Sequence, residues 1–224
     1  MHIEPGVVAG AKIFLGHGTA LATLAITAVV ANAARYRTGL VALSGRTLLA
    51  ALMTFFCFEV LPHHPVGVSE VHLIMGTTLL LLFGTAPAAL GLAGGLLAQG
   101  LLFAPSDLPQ LGMNLTTLLV PLFATAALAR HFVAPETAYV DLTYSQAFRL
   151  SAAYQGGIVA WVAFWSLWGQ GLSSLGDIAS FTGAYTVVLL VEPLVDLAVL
   201  AAVKGVHRLH DSALLDIRLF GANA

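Results

Sequence analysis

Seven apolar stretches, at about residues 12–33, 40–59, 70–84, 86–104, 112–130, 148–169 and 179–203, occupy most of this 224-residue chain. Most are close to the twenty or so residues that a helix needs to cross about 30 Å of hydrocarbon. Charged residues make up 9% of the sequence and hydrophobic ones 58%, where a soluble domain carries about a quarter charged residues. The chain therefore reads as an all-α integral membrane protein, a compact bundle of about seven transmembrane helices forming one domain over residues 1–224. The third stretch is short and runs into the fourth through Thr85-Ala86-Pro87. That pair reads either as a tight helical hairpin or as a partly re-entrant unit shielded by protein.

Basic residues orient the bundle. Arg35 and Arg37 lie in the first connection, Arg46 opens the second stretch, and Arg130 and Arg149 flank the fifth connection. Lys204, Arg208 and Arg218 follow the last stretch, so with seven crossings every Lys and Arg except Lys12 falls on one side. Positive charge marks the cytoplasmic side, which puts the carboxyl terminus inside and the amino terminus outside. The multi-pass protein is thus assigned to the inner, or cytoplasmic, membrane. The start of the chain lacks the basic and small-residue pattern of a secretory signal and is expected to stay on the mature protein, with residues 1–11 as an extracytoplasmic segment.

Glu4, Glu59, His63, His64, Glu70, Asp107 and Asp177 all fall on or beside the outer connections. An acidic, histidine-bearing face suits collection of a cation, although acids are also ordinary loop residues. The single cysteine, Cys57, excludes an internal disulfide and a cysteine-cluster metal site, and it reads as packing. Gly91-Leu92-Ala93-Gly94-Gly95, Gly100 and Gly16-His17-Gly18 offer smooth surfaces for close helix contact. The longest polar interruption, 131–147, lies on the cytoplasmic side, where it either docks a partner or links helices.

The amino terminus carries the most specific chemistry. A free amine at Met1, the His2 amide nitrogen and the His2 ring Nδ1 close two chelate rings on one ion. A late first-row divalent ion accepts such a flat nitrogen field and needs one further donor. His72, at the mouth of a membrane segment, is the expected fourth ligand. Ser69 or Glu70 would accept its remaining ring proton, and Glu70 reads equally as a solvated helix-start residue. His17, inside the first stretch, needs a polar partner away from lipid, either beside the metal or on a neighbouring helix. His63 and His64 read as transient collectors. Glu192 and Asp196 share one face of the last stretch, with Pro193 between them. They mark an ion path, pair with a cation such as Arg46, or serve a structural or partner contact.

Walker A, HExxH, GxSxG and dinucleotide patterns are all lacking, so an uphill transporter of this sequence draws on a gradient or on a separate ATPase. An intramembrane enzyme is a further reading, for which no nucleophile or acid-base set speaks.

Three blocks together resemble the CbiM/NikM family, the substrate-capturing (S) component of cobalt and nickel energy-coupling-factor (ECF) transporters. They are Met1-His2-Ile3-Glu4-Pro5-Gly6, then Gly67-Val68-Ser69-Glu70-Val71-His72-Leu73-Ile74-Met75-Gly76, and Leu101-Leu102-Phe103 with Leu111-Gly112-Met113-Asn114. The resemblance implies metal ligation by Met1, His2 and His72, with Ser69 and Asn114 near the site. It also implies Ni²⁺ or Co²⁺ as the transported ion and no further cofactor. The implied partners are a transmembrane coupling (T) protein, cytoplasmic ATPase subunits that use the ATP, and a small membrane accessory subunit; the formal net charge of -2 gives no hint of a nucleic-acid partner. Two departures stand out: Glu4-Pro5 before Gly6, and Glu70-Val71, which adds a residue between Ser69 and His72. An added residue at a helix start would rotate His72 about the helix axis.

Overall fold

A computed structural model describes residues 3–134 and 141–205. Met1, His2, the middle of the polar 131–147 segment, and Arg208 and Arg218 lie outside the described residues.

The described residues form an all-helical membrane bundle with one small hairpin. Helix α1 spans Ile13–Thr38 and α2 spans Leu40–Phe55, with Gly39 at φ +84° between them. A π-helical turn, Phe56–Val60, extends α2 towards β1, His64–Val66, and β2, Ser69–Val71. Helix α3, Gly76–Phe83, is joined by Gly84 alone to α4, Thr85–Leu102. After a 3₁₀ turn at Pro105–Gln110 come α5, Leu111–Phe132, α6, Tyr144–Gln170, and α7, Leu175–Gly205. Thr143 starts α6 with a capping box, accepting from the Gln146 amide while the Gln146 side chain accepts from the Thr143 amide.

By length and hydropathy, the segments Gly10–Thr38, Leu40–Val60, Thr85–Leu102, Pro105–His131 and Tyr144–Val199 can cross a membrane, the last containing both α6 and α7. Their outward faces are greasy: Phe14, Leu21, Val41, Leu48, Val187 and Leu190 are exposed. In a bilayer those side chains meet lipid, so their exposure costs nothing.

The third apolar run departs from the helical reading. It opens as strand β2, continues through 72–75 without regular structure, and turns helical only at Gly76. Helix α3 therefore rises only about 12 Å, and all eight of its residues are buried. It sits inside the bundle in contact with α2, α4, α5, α6 and α7. Glu70 is a strand residue, not a helix-start residue, and the added residue before His72 has no helix to rotate. The reason is hydrogen bonding: Val71 pairs with His64 and Ser69 with Val66, so β2 has sheet partners that an isolated apolar run would lack.

One end of the bundle gathers the amino-terminal segment, the hairpin, the start of α5, and the α6–α7 turn. Ile3 bridges Ser69 on the edge of β2 opposite β1. A Cβ on Gly67, which turns the hairpin at φ +61°, would collide with the Asp177 carbonyl oxygen at the head of α7. At Gly169 a Cβ would run into the Val7 carbonyl. Lys12 Nζ donates to the Gly169 carbonyl at 2.9 Å, tying the segment before α1 to the end of α6.

Candidate metal centre

The centre is built where the amino-terminal segment meets the hairpin. Ile3 is wholly buried, and its amide donates to Asn114 Oδ1 at 2.8 Å, across 111 residues of chain. Asn114 lies in the first turn of α5, where the close Gly16–Gly112 crossing seats α1 against α5. The Glu4 amide donates to the Val68 carbonyl at 3.1 Å. Ile3 is thus held on one side by α5 and on the other by β2, and Ser69, its partner in the bridge, is itself fully buried.

His72 follows β2 and is 1% exposed. Its Nε2–H donates to Glu70 Oε2 at 2.8 Å. A carboxylate only accepts, so this contact places the ring proton on Nε2 and the lone pair on Nδ1. Aromatic rings fix the rest of the imidazole. His63 stacks on it with centroids 4.8 Å apart and planes 15° from parallel, and Phe58 lies 5.3 Å away. The His63 Nδ1 sits 3.2 Å from the Leu61 carbonyl. The surrounding face is acidic: burial, then Glu70 and Asp107, hold the Glu4 carboxyl above its ordinary range. A cation placed there would relieve that repulsion.

The structure therefore brings Ser69 and Asn114 against Ile3, and pairs Glu70 with His72 at the end of the same strand. His17 is not brought there: it is exposed on α1, with its ring edge-on to Phe14 at 6.4 Å. Among the described residues no three His, Cys, Asp or Glu gather as a metal-holding group, and Met1 and His2 lie outside those residues. The stacking of His63 escapes sequence reasoning, because a His-His-Pro run at a surface gives no sign of which ring turns inward. The hold of Asn114 on Ile3 is likewise invisible in composition or spacing.

Glu192 and Asp196 stand apart from this cluster. Both are buried on α7, where they accept from neutral donors that include the Ile74 and Met75 amides, the Gln155 side chain and the Thr78 hydroxyl.

The model of the CbiM family, described as the cobalt uptake substrate-specific transmembrane region, matches residues 2–209. The chain belongs to the CbiM family. A solved structure described as a truncated transition metal transporter has the same fold, with a TM-score of 0.66 at 17% identity. The match covers 94% of this chain and 99% of that one. No curated protein matches the sequence. As a CbiM family member, the chain is the metal-capturing S-component of an ECF-type transporter, a multi-pass membrane protein that moves a transition metal and is not an enzyme.

Proposed function

We propose that this CbiM-family protein captures Ni²⁺ or Co²⁺ at the outer face of the cytoplasmic membrane. In this reading the Met1 amine, the His2 amide and ring nitrogens and His72 Nδ1 form a planar four-nitrogen field. The observation that carries it is the anchoring of Ile3 beside β2, through Asn114 and the Ser69 bridge. Met1 and His2 are covalently tethered to that buried point, and two residues reach at most about 7 Å. His72 is three residues beyond Ser69, with its ring already oriented by Glu70 and His63.

Nitrogen affinity rises from cobalt to nickel, so a site of this make-up binds Ni²⁺ the more tightly. The amino terminus and residues 1–11 face outside, and Glu4, Glu70 and Asp107 draw the ion in. Inward passage requires a transmembrane coupling protein and cytoplasmic ATPases, because the chain has no phosphate-binding loop. Transport assays in vesicles that enclose a metal-sensitive dye test this reading. Accumulation against a gradient is expected only when the partner subunits and ATP are present. Uphill accumulation by the chain alone, without ATP, would overturn it in favour of a gradient-driven permease.

A further inference from the structure

Between the end of β2 and the start of α3, residues 72–75 belong to neither strand nor helix. His72 and Ile74 in this stretch are buried, and Met75 adopts the left-handed conformation, φ +57° and ψ +31°. That conformation is uncommon outside glycine. Non-helical backbone inside a membrane bundle persists only where protein satisfies its amides. β2 has ended, and α3 has not begun, so neither ladder serves Ile74 and Met75.

A single side chain serves both. Glu192 Oε1 accepts from the Ile74 amide at 2.7 Å and from the Met75 amide at 2.8 Å. Its other oxygen, Oε2, accepts from Gln155 Nε2, and Gln155 Oε1 accepts from the Tyr185 hydroxyl at 2.7 Å. One turn further along α7, Asp196 Oδ1 accepts from the Thr78 hydroxyl in the first turn of α3. Glu192, Asp196, Gln155 and Tyr185 are each no more than 1% exposed. Removing an acceptor from such a site leaves buried donors with no water to turn to.

We infer that Glu192 is a positioning residue for His72: its carboxylate latches the segment that carries the histidine, and so couples α7 to the metal site. The inference rests on His72 being a metal ligand, as proposed above. His72 is then fixed from both directions along the chain. On its amino side, Val71 pairs with His64; on its carboxyl side, two residues away, Glu192 holds Ile74. The head of α7 also abuts the hairpin at Gly67, so one helix grips the ligand-bearing stretch at both ends. A displacement of α7 that withdraws Glu192 frees two amides together and lets the backbone under His72 relax. Metal release is thereby tied to the movement of α7.

The donor and acceptor pattern supplies a specific test. In Glu192→Ala the amides lose their acceptor. In Glu192→Gln the new amide nitrogen faces that of Gln155. The double variant Gln155→Glu with Glu192→Gln reverses the pair and restores every bond. The oxygen of the side-chain amide introduced on α7 then receives the two backbone amides. The carboxylate introduced on α6 accepts from the nitrogen of that side-chain amide and from the Tyr185 hydroxyl.

Two readouts on the full-length chain in detergent decide the matter. The first is hydrogen exchange of a peptide covering residues 72–76 in the metal-free protein, with a peptide from α1 as the reference. The second is the Ni²⁺ dissociation constant together with the visible absorption band of the bound ion. Glu192→Ala is expected to speed exchange in 72–76 but not in α1, to weaken Ni²⁺ binding at least about tenfold and to shift the band. The double variant is expected to return all three towards wild type, and to bind more tightly than Glu192→Gln. Wild-type exchange in Glu192→Ala would overturn the latch, as would fast exchange with unchanged Ni²⁺ affinity, or a double variant no better than Glu192→Gln. Should Glu192→Ala fail to fold, the comparison of the other two variants decides. Absence of Ni²⁺ binding by the wild-type chain would count against the metal-site reading, and the exchange comparison still tests the latch.

Discussion

His72 owes its orientation to Glu70 two residues away, and the two side chains can be separated by mutation. Glu70→Gln keeps an oxygen that can accept from Nε2, so it retains the tautomer and loses only the charge. Glu70→Ala removes the acceptor. Partners of this kind are worth about 10- to 100-fold in metal affinity. Titration with Ni²⁺ should show Glu70→Ala weaker by an amount in that range and Glu70→Gln much closer to wild type. Equal affinity for Glu70→Ala and wild type would remove Glu70 from the site. At this scale the sequence is legible where chemistry is local: His72 and Glu70 are neighbours, and their pairing can be read from their spacing. The amide of Ile3 and the oxygen of Asn114 are 111 residues apart, and only the crossing of α1 and α5 brings them together.

The six long helices follow from hydropathy, because length and apolar character are what a bilayer demands. Their glycines are legible in the same way, as smooth surface. The third apolar run is different: an uninterrupted apolar stretch does not distinguish buried strand from buried helix. What makes Ser69–Val71 a strand and Met75 a left-handed break lies in other elements, namely β1, Ile3 and Glu192. The hairpin itself depends on Gly67. A side chain there meets both an unfavourable φ of +61° and the Asp177 carbonyl, so Gly67→Ala is expected to lower stability by about 1–3 kcal/mol through overpacking and backbone strain. Thermal unfolding in detergent is the measurement. An unchanged midpoint would mean that the hairpin is not held against α7 as described.

For the whole molecule, the distribution of basic residues predicts the amino terminus outside and the carboxyl terminus in the cytoplasm. The native cysteine, Cys57, is buried, so a cysteine placed after Ala222 gives a selective probe. An impermeant reagent should label it only after the membrane is opened; labelling from outside intact cells would reverse the orientation. In the proposed site a free amino terminus supplies metal donors, and the bundle holds Ile3 and His72 in place. Binding then displaces the proton of an amine whose reference pKa is about 8. Affinity should therefore rise with pH through the neutral to mildly alkaline range. The most direct test is isothermal titration of Ni²⁺ into a folded variant extended by one residue before Met1, which moves the primary amine out of the chelate and leaves every native side chain in place. This variant should lose affinity about as severely as His2→Ala. Full wild-type affinity in the extended chain would contradict a terminal-amine site.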